Sequence, residues 1–97
     1  MSKYVLTARA RLDLRLIWLR IAEDNIDSAD KVKAKLQLAM EQLADMPGMG
    51  HRRADVKNPR YRFWSVYSYL IVYYPETKPL QVVRVVHGAQ NIKKLFR

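Results

Sequence analysis

The sequence predicts an α+β fold in which a helical hairpin packs on one face of an antiparallel sheet. Two apolar runs, Tyr69–Tyr74 and Leu80–His87, have the length and the β-branched and aromatic content of buried strands. The segment between them contains Pro75 and Pro79, which cannot lie inside a central strand and therefore predict a turn. Upstream, residues 8–25 contain no glycine or proline and consist mainly of residues that favour a helix.

The N-terminal residues are predicted to form a short strand and then a long helix. Lys3–Leu6 includes Tyr, Val and Leu, which suit a strand. Thr7 offers a side-chain cap for a first helix over Ala8–Asn25.

A second helix is predicted over Ser28–Met46. Residues 24–27 are expected to form a turn, and Asp27 or Ser28 is expected to cap this helix. Apolar residues recur at three- and four-residue spacing along this helix, which indicates one buried face. Pro47–Gly50 ends it, with a glycine available for a left-handed cap.

The C-terminal half is predicted to consist mostly of strands. Residues 51–60 are polar and basic without clear periodicity, which indicates a loop, and Tyr61–Tyr67 is strand-like. A tight turn near Ser68 leads into the two apolar runs, and residues 89–97 are expected to add one or two helical turns. The predicted order is β-α-α-β-β-β, a two-layer fold with three to four antiparallel strands, in a single domain over residues 1–97.

The charge of the chain restricts its partners. A formal net charge of +9 favours nucleic acid, an acidic protein segment or a membrane surface. Because the chain has no cysteine, disulfides, thiolate nucleophiles and cysteine metal sites are excluded. No apolar run has the length of a membrane span, and the first residues lack the apolar core of a signal peptide. We therefore expect a cytoplasmic protein that does not bind membranes.

The first helix carries two apolar stripes on nearly opposite sides. Ala10, Leu14, Ile17, Trp18 and Ile21 form one stripe, and Leu12, Leu16 and Leu19 form the other. A helix on the surface of a monomer needs only one such stripe. The second stripe is therefore either buried, with the helix enclosed between the sheet and the other helix, or a docking surface for a partner.

The sequence contains no recognised catalytic constellation. His51 and His87 lack metal-ligand spacing, so we expect no metal and no cofactor. The acidic residues lie mostly on the predicted helices, where they are expected to be solvated. Arg84 lies in an apolar strand and is expected either to point out of the sheet or to be paired. Basic and aromatic residues remain as candidates for RNA chemistry, for a protein interface or for a solvated basic rim: Arg52, Arg53, Arg60, Tyr61, Arg62, Arg84, His87, Lys93, Lys94 and Arg97. For Lys93, Lys94 and Arg97 taken singly, the solvated rim is favoured.

An ordered set of short patterns resembles a known family. The set comprises Asp13-Leu14, Ile17-Trp18, Pro47-x-x-Gly50, Arg53-x-Asp55, Val66-x-x-Tyr69-x-Ile71-x-Tyr73 and Val83-Arg84-Val85-x-His87-Gly88-Ala89. In this order it resembles the ParE toxins of the RelE/ParE superfamily of bacterial toxin–antitoxin systems, over nearly the whole chain. The resemblance implies the same α+β fold.

The resemblance also implies one of two activities. RelE-like members cleave mRNA on the ribosome with basic residues and a late His or Tyr, whereas ParE-like members are described as poisons of DNA gyrase. Where RelE-like enzymes carry a basic strand residue, this chain has Leu70, which cannot stabilise phosphorane-like charge. The ending at His87-Gly88-Ala89 resembles ParE, so gyrase inhibition is favoured.

Some positions depart from the family pattern. Gln90 and Asn91 stand where ParE-like chains often have an Arg–Asp pair, and Trp64 stands where a small residue or proline is expected. Leu12 and Leu16 occupy helix positions that are commonly polar.

The resemblance implies partners and site residues. We expect a hetero-oligomer with a ParD-like antitoxin, whose ribbon-helix-helix domain would make the contacts to operator DNA. The antitoxin is expected to bind Leu12, Leu16, Leu19, Arg11 and Arg15. DNA gyrase, the expected target, would contact Arg53, Arg62, Arg84, His87, Lys93, Lys94 and Arg97. No catalytic residue is expected, although two alternatives remain: an mRNA endonuclease using Arg62, Arg84 and His87, and an inactive toxin that serves as an antitoxin-binding co-repressor.

Overall fold

Two helices cover one face of a four-stranded sheet in the computed structural model, which describes residues 3–96. The predicted α+β class and the order of the main elements are confirmed. No helix in residues 3–96 is both long and apolar enough to cross a membrane. The elements are β1 (Tyr4–Leu6), α1 (Ala8–Ala22), α2 (Ile26–Asp45), a 3₁₀ turn (Pro47–Met49), β2 (Arg62–Val66), β3 (Tyr69–Tyr74), β4 (Leu80–His87) and α3 (Ile92–Leu95).

The sheet has the strand order β1-β4-β3-β2 and is mixed rather than wholly antiparallel. Strands β2, β3 and β4 form the predicted antiparallel meander. Strand β1 instead pairs in parallel with β4, with Tyr4 opposite Leu80 and Leu6 opposite Val82. The prediction of an antiparallel sheet is therefore wrong for this strand. A parallel pair needs a long connection, which the two helices and the first two strands of the meander supply.

Side-chain caps set the starts of both long helices. Thr7 caps α1 as predicted, because its Oγ1 accepts a hydrogen bond from a first-turn N–H at 3.1 Å. Helix α1 ends at Ala22, earlier than predicted. Asn25, and not Asp27 or Ser28, caps α2, since its side chain accepts from the Ser28 N–H at 2.9 Å. Asn, Asp and Ser are similarly good caps, so composition alone does not select among them.

A buried hydrogen-bond network closes the end of α2. The Tyr73 hydroxyl donates to the Pro47 carbonyl at 2.7 Å and accepts from the Gly50 N–H at 2.9 Å. Gly50 has a φ of −73°, so the predicted left-handed glycine cap is wrong. The glycine is required by space instead, because a Cβ at this position would overlap the Tyr73 hydroxyl. Burial raises the pKa of Tyr73, which keeps the phenol protonated and able to donate.

Strand β3 alternates between two apolar clusters on opposite faces of the sheet. Ile71 and Tyr73 face the helical hairpin, in the cluster that contains Leu36, Met40 and Leu43 of α2. Leu70 and Val72 face away from the helices, in a second cluster that contains Val56, Phe63, Val86, Ile92 and Phe96. Residues from the 51–60 loop and from the C-terminal tail therefore cover the face that the helices leave open.

The β3–β4 ladder contains a bulge beside Arg84. Val72 pairs with Arg84, but the next residue, Tyr73, pairs with Val82, so Val83 has no partner in the register. Bulges bend a strand and redirect its side chains. Strand β2 is one residue shorter at each end than predicted, and Tyr67, at a φ of 53°, forms the tight turn before β3.

Candidate functional site

The outer side of α1 presents an apolar stripe to solvent. Leu12, Leu16 and Leu19 are 43%, 52% and 46% exposed, although spacings of four and three residues align them on one helical face. The opposite side of the helix, including the fully buried Ala10, packs on the core. The interpretation that α1 is enclosed on both sides is therefore wrong, and the stripe is free of contacts that would bury it in the described part of the chain.

A groove with an apolar floor and a basic rim runs along the α2 side of this stripe. It has a volume of about 510 Å³ and is lined by Leu6, Arg11, Leu14, Arg15, Trp18, Leu19, Lys33 and Gln37. The Trp18 indole is fixed there, because its Nε1–H donates to Asp30 Oδ1 at 2.9 Å. Such a groove can accept the apolar face of an amphipathic segment, with acidic side chains of that segment meeting the rim.

A second groove, on the β4 side of the stripe, is lined by both charged and apolar side chains. Its volume is about 750 Å³, and its lining includes Arg9, Leu16, Arg20, Arg84, His87 and Gln90. Leu16 lines this groove and Leu19 lines the other, so the stripe lies between the two grooves. Because Arg9, Arg11, Arg15 and Arg20 are all exposed, both flanks of the stripe are positively charged.

Arg84, which was expected to be paired or to point outward, is paired. Its Nε donates to Asp13 Oδ2 at 2.7 Å and its Nη2 to Asp13 Oδ1 at 3.2 Å. The same carboxylate accepts the backbone N–H of Val85 at 3.0 Å. Asp13 is 7% exposed and is the one buried charged residue in residues 3–96, so the expectation that helical acidic residues are solvated is wrong for it.

Asp13 and Thr7 together complete the outer edge of β4 beyond the short strand β1. The Thr7 N–H and hydroxyl donate to the carbonyls of Val82 and Val83, at 3.0 and 2.7 Å. Asp13 then accepts the next outward N–H, that of Val85. An unpaired strand edge invites pairing with another chain, and these contacts close it. Sequence reasoning did not assign this role to Asp13, and the only available signal was the Asp13-Leu14 pattern.

His87 is exposed at the end of β4 and is tied to the following turn. Its Nδ1 accepts the Ala89 N–H at 3.1 Å, and its own N–H donates to Gln90 Oε1 at 3.0 Å. Its ring lies edge-on to Tyr69, with centroids 5.6 Å apart. Gln90 and Asn91, the departures from the family pattern, both form local hydrogen bonds, since Asn91 caps α3.

Two of the three residues of the alternative nuclease site, Arg84 and His87, line the same groove, but Arg62 does not. Arg62 lies on β2, two strands away from Arg84 on β4, and donates to the Gly50 carbonyl at 3.1 Å. Leu70 is buried in the apolar cluster on the sheet face opposite the helices, together with Val86. The guanidinium of Arg84 is neutralised by Asp13, so neither arginine of the predicted nuclease site is a free cation beside His87 that could stabilise phosphorane-like charge. The exposed Arg9 and Arg20 line the same groove as His87 but were not part of that predicted site.

The other residues predicted to contact a target occupy a separate surface. Arg53 forms a two-pronged pair with Asp55, at 3.0 Å for each bond, and this pair holds the pKa of Asp55 below its usual value. Lys93 and Lys94 are exposed on α3. Arg97 lies outside the described residues. The described members of the predicted target-binding set are thus divided among the β4 edge, strand β2 beside Gly50 and the sheet face opposite the helices, and their role stays a prediction.

Comparison with known proteins identifies the family. Residues 4–92 match the family model described as the ParE toxin of the type II toxin–antitoxin system parDE. The chain belongs to the ParE toxin family. The family resemblance seen in the sequence is confirmed, and the chain is the toxin component of a type II toxin–antitoxin system.

Relatives of this ParE-family toxin agree in length and fold. Toxin ParE1 of Caulobacter vibrioides is 29% identical over 94 residues, which is 96% of this chain and 96% of that protein. A solved structure described as a chromosomal ParDE TA system from P. aeruginosa matches with a TM-score of 0.71 and 18% identity. The match covers 90% of this chain and 96% of the other, and it supports the ParE-family fold.

Proposed function

We propose that this toxin inhibits DNA gyrase without catalysing a reaction itself, by trapping the gyrase–DNA cleavage complex. The observation that carries the proposal is the state of Arg84, whose guanidinium is neutralised by Asp13 and cannot serve as a free phosphate-stabilising cation. Leu70 adds support, because it lies within an apolar cluster where RelE-like enzymes carry a basic residue. The chain then acts by binding in the cytoplasm, and Arg84 positions α1 against the sheet.

A ParD-like antitoxin neutralises the toxin in this proposal. Its acidic, amphipathic C-terminal segment lies along α1, with apolar side chains on Leu12, Leu16 and Leu19 and acidic ones beside Arg11 and Arg15. The exposure of the stripe and the basic charge on both of its flanks support this assignment. A ribbon-helix-helix domain of the antitoxin recognises the operator, and the two chains form a hetero-oligomer.

Purified gyrase and supercoiled plasmid test the proposed activity. With toxin and ATP, denaturation of the gyrase complex should release linear plasmid, and toxin incubated first with antitoxin should not produce it. The antitoxin is to be taken from the adjacent upstream reading frame if it encodes a small acidic ribbon-helix-helix protein. Leu16→Asp toxin is the matched control, since it should still release linear plasmid but resist neutralisation.

Transcript mapping in cells provides the opposing test. On toxin induction, ribosome-associated mRNA should remain intact while the SOS response is induced. Site-specific cuts that disappear in the His87→Ala variant would overturn gyrase inhibition in favour of the endonuclease. Normal growth on induction, with the protein folded and able to bind the antitoxin, would instead show a co-repressor without toxic activity.

A further inference from the structure

The sheet face opposite the helices carries two segments that are pinned by buried apolar side chains. Val56 of the 51–60 loop is 7% exposed, and Ile92 and Phe96 of the C-terminal tail are 3% and 5% exposed. All three belong to the apolar cluster on the outer side of β3. The backbone around each of these residues is therefore fixed relative to the sheet.

Each pinned segment presents lysines immediately beside its buried residue. Lys57 follows Val56, and Lys93 and Lys94 follow Ile92. All three lysines are exposed and, together with Asp55 and Asn91, line a concavity of about 500 Å³. We call this concavity the lysine cradle. Because its walls are held by packing, the lysine stems start from fixed positions and lose less freedom on binding.

The lysines of the cradle are not neutralised by salt bridges in the described part of the chain. Asp55, a carboxylate in its lining, is already engaged by both donors of the Arg53 fork. Lys93 contributes at longer range to holding the pKa of Asp55 below its usual value. Within residues 3–96, no salt bridge is formed by Lys57, Lys93 or Lys94. The concavity therefore suits an anion that carries several charges.

We propose that the lysine cradle binds the phosphodiester backbone of duplex DNA. Lysine ammonium groups are compact donors for phosphate oxygens, and such contacts position a protein without reading sequence. The proposal deepens the gyrase proposal and rests on it for the identity of the nucleic acid, since gyrase acts on duplex DNA. The family match ends at Ile92, so two of the three lysines lie beyond it.

The cradle and the leucine stripe lie on different sides of the sheet. The stripe is on the outer side of α1, whose inner side packs in the helix-facing cluster. The cradle is built on the opposite cluster. An antitoxin segment confined to α1 would therefore leave the cradle open, and such a complex would retain the phosphate contacts of the toxin.

Fluorescence anisotropy with a labelled DNA duplex of arbitrary sequence tests the cradle. The variant Lys57→Gln/Lys93→Gln/Lys94→Gln should bind about tenfold or more weakly at low salt. For this variant, the slope of log affinity against log salt concentration should be smaller in magnitude than that of the wild type by about 2 to 3, because each phosphate contact contributes about 0.9 to the slope. The control is Lys31→Gln/Lys33→Gln/Lys35→Gln on α2, which changes the net charge equally and should keep nearly the full slope.

Equal losses in both variants would mean that only net charge matters and would overturn the cradle. An unchanged slope in the cradle variant would overturn it as well, even if that variant no longer bound gyrase, because the lysines would then contact protein. The gyrase assay separates the two proposals. If wild-type toxin releases linear plasmid but the cradle variant keeps the wild-type salt slope, the cradle proposal alone is overturned. If the salt slope depends on the cradle lysines but no linear plasmid is released, the gyrase proposal alone is overturned.

Discussion

The carboxylate of Asp13 on α1 is paired with the guanidinium of Arg84 on β4, with 2.7 Å between Oδ2 and Nε. The side chains are 8% and 16% exposed, so both charges are largely withdrawn from water. The pair joins the first helix to the last strand across 71 positions of sequence. The pair holds α1, which carries the leucine stripe, against β4, and it neutralises the charge of Arg84.

Asp13→Ala is expected to destabilise the fold strongly. It leaves the Arg84 guanidinium and the Val85 N–H without their acceptor, and loss of one partner of a buried pair costs about 3 kcal/mol or more. Urea denaturation followed by circular dichroism measures the loss. Arg9→Ala is the control, because Arg9 is 61% exposed and lies 3.6 Å from the same carboxylate. Its cost should stay below about 1 kcal/mol. Similar losses in the two variants would contradict the role given to the buried pair.

Gly50 and Tyr73 are expected to be energetically coupled. Gly50→Ala pushes a methyl group into the Tyr73 hydroxyl and should cost about 1–3 kcal/mol. Tyr73→Phe removes two hydrogen bonds and should cost about 1–2 kcal/mol. The double variant should lose less than the sum, since removal of the hydroxyl relieves part of the overlap. Gly48→Ala, where a Cβ meets nothing within 4 Å, is the matched control and should be nearly neutral. Strict additivity in denaturation experiments would argue against the contact.

The elements that the sequence predicted best are those bounded by local signals. Strands β3 and β4 have the predicted bounds because apolar runs end at prolines or at His87-Gly88. Thr7 caps α1 as expected, since a cap depends on residues within one turn. The cap of α2 is Asn25 rather than the predicted Asp27 or Ser28, and local composition does not distinguish the three because their side chains cap about equally well. The parallel pairing of β1 depends on the path of the whole chain, which no local pattern reports.

The candidate site was predictable in outline only. Helical spacing separated Leu12, Leu16 and Leu19 from the core stripe, but whether a second layer covered them required the tertiary structure. Charge composition placed Arg53 and Arg84 in one functional group, whereas the structure pairs each with a different carboxylate on a different surface. The lysine cradle depends on the packing of Val56 and the C-terminal tail in one apolar cluster, which a linear sequence does not report.

Alkaline pH is expected to destabilise the fold in part through Tyr73. Burial raises the pKa of Tyr73 above its ordinary value of 10.0, so the folded state holds the phenolic proton more tightly than the unfolded chain. This contribution to stability is complete below pH 10 and is lost as the pH rises from there through the folded-state pKa. The free energy of unfolding should therefore decline less steeply above pH 10 in Tyr73→Phe than in wild type. The pKa values of Tyr4 and Tyr61 are also raised, so some decline should persist. Identical slopes would exclude Tyr73 as a contributor.

Leu16 is the residue whose replacement should most weaken the antitoxin complex, because it is the most exposed of the three stripe leucines and also lines the groove on the β4 side. Burial of a leucine side chain contributes about 1.5–3 kcal/mol, and Leu16→Asp also opposes the acidic charge expected of the antitoxin. We expect the affinity for the cognate antitoxin to fall by well over a factor of about 10, and a factor of 10 corresponds to about 1.4 kcal/mol of binding free energy.

The matched control for this test is Leu38→Asp on α2. Leu38 is 48% exposed, close to the 52% of Leu16, and the substitution introduces the same charge. Isothermal titration calorimetry should show that Leu38→Asp loses less than about threefold in affinity, because Leu38 lies away from the stripe. Both variants should keep the unfolding midpoint of the wild type, since each replaced side chain is half exposed. Wild-type affinity in Leu16→Asp would remove α1 as the docking surface, and an equal loss in both variants would show that the antitoxin responds to charge rather than to the stripe.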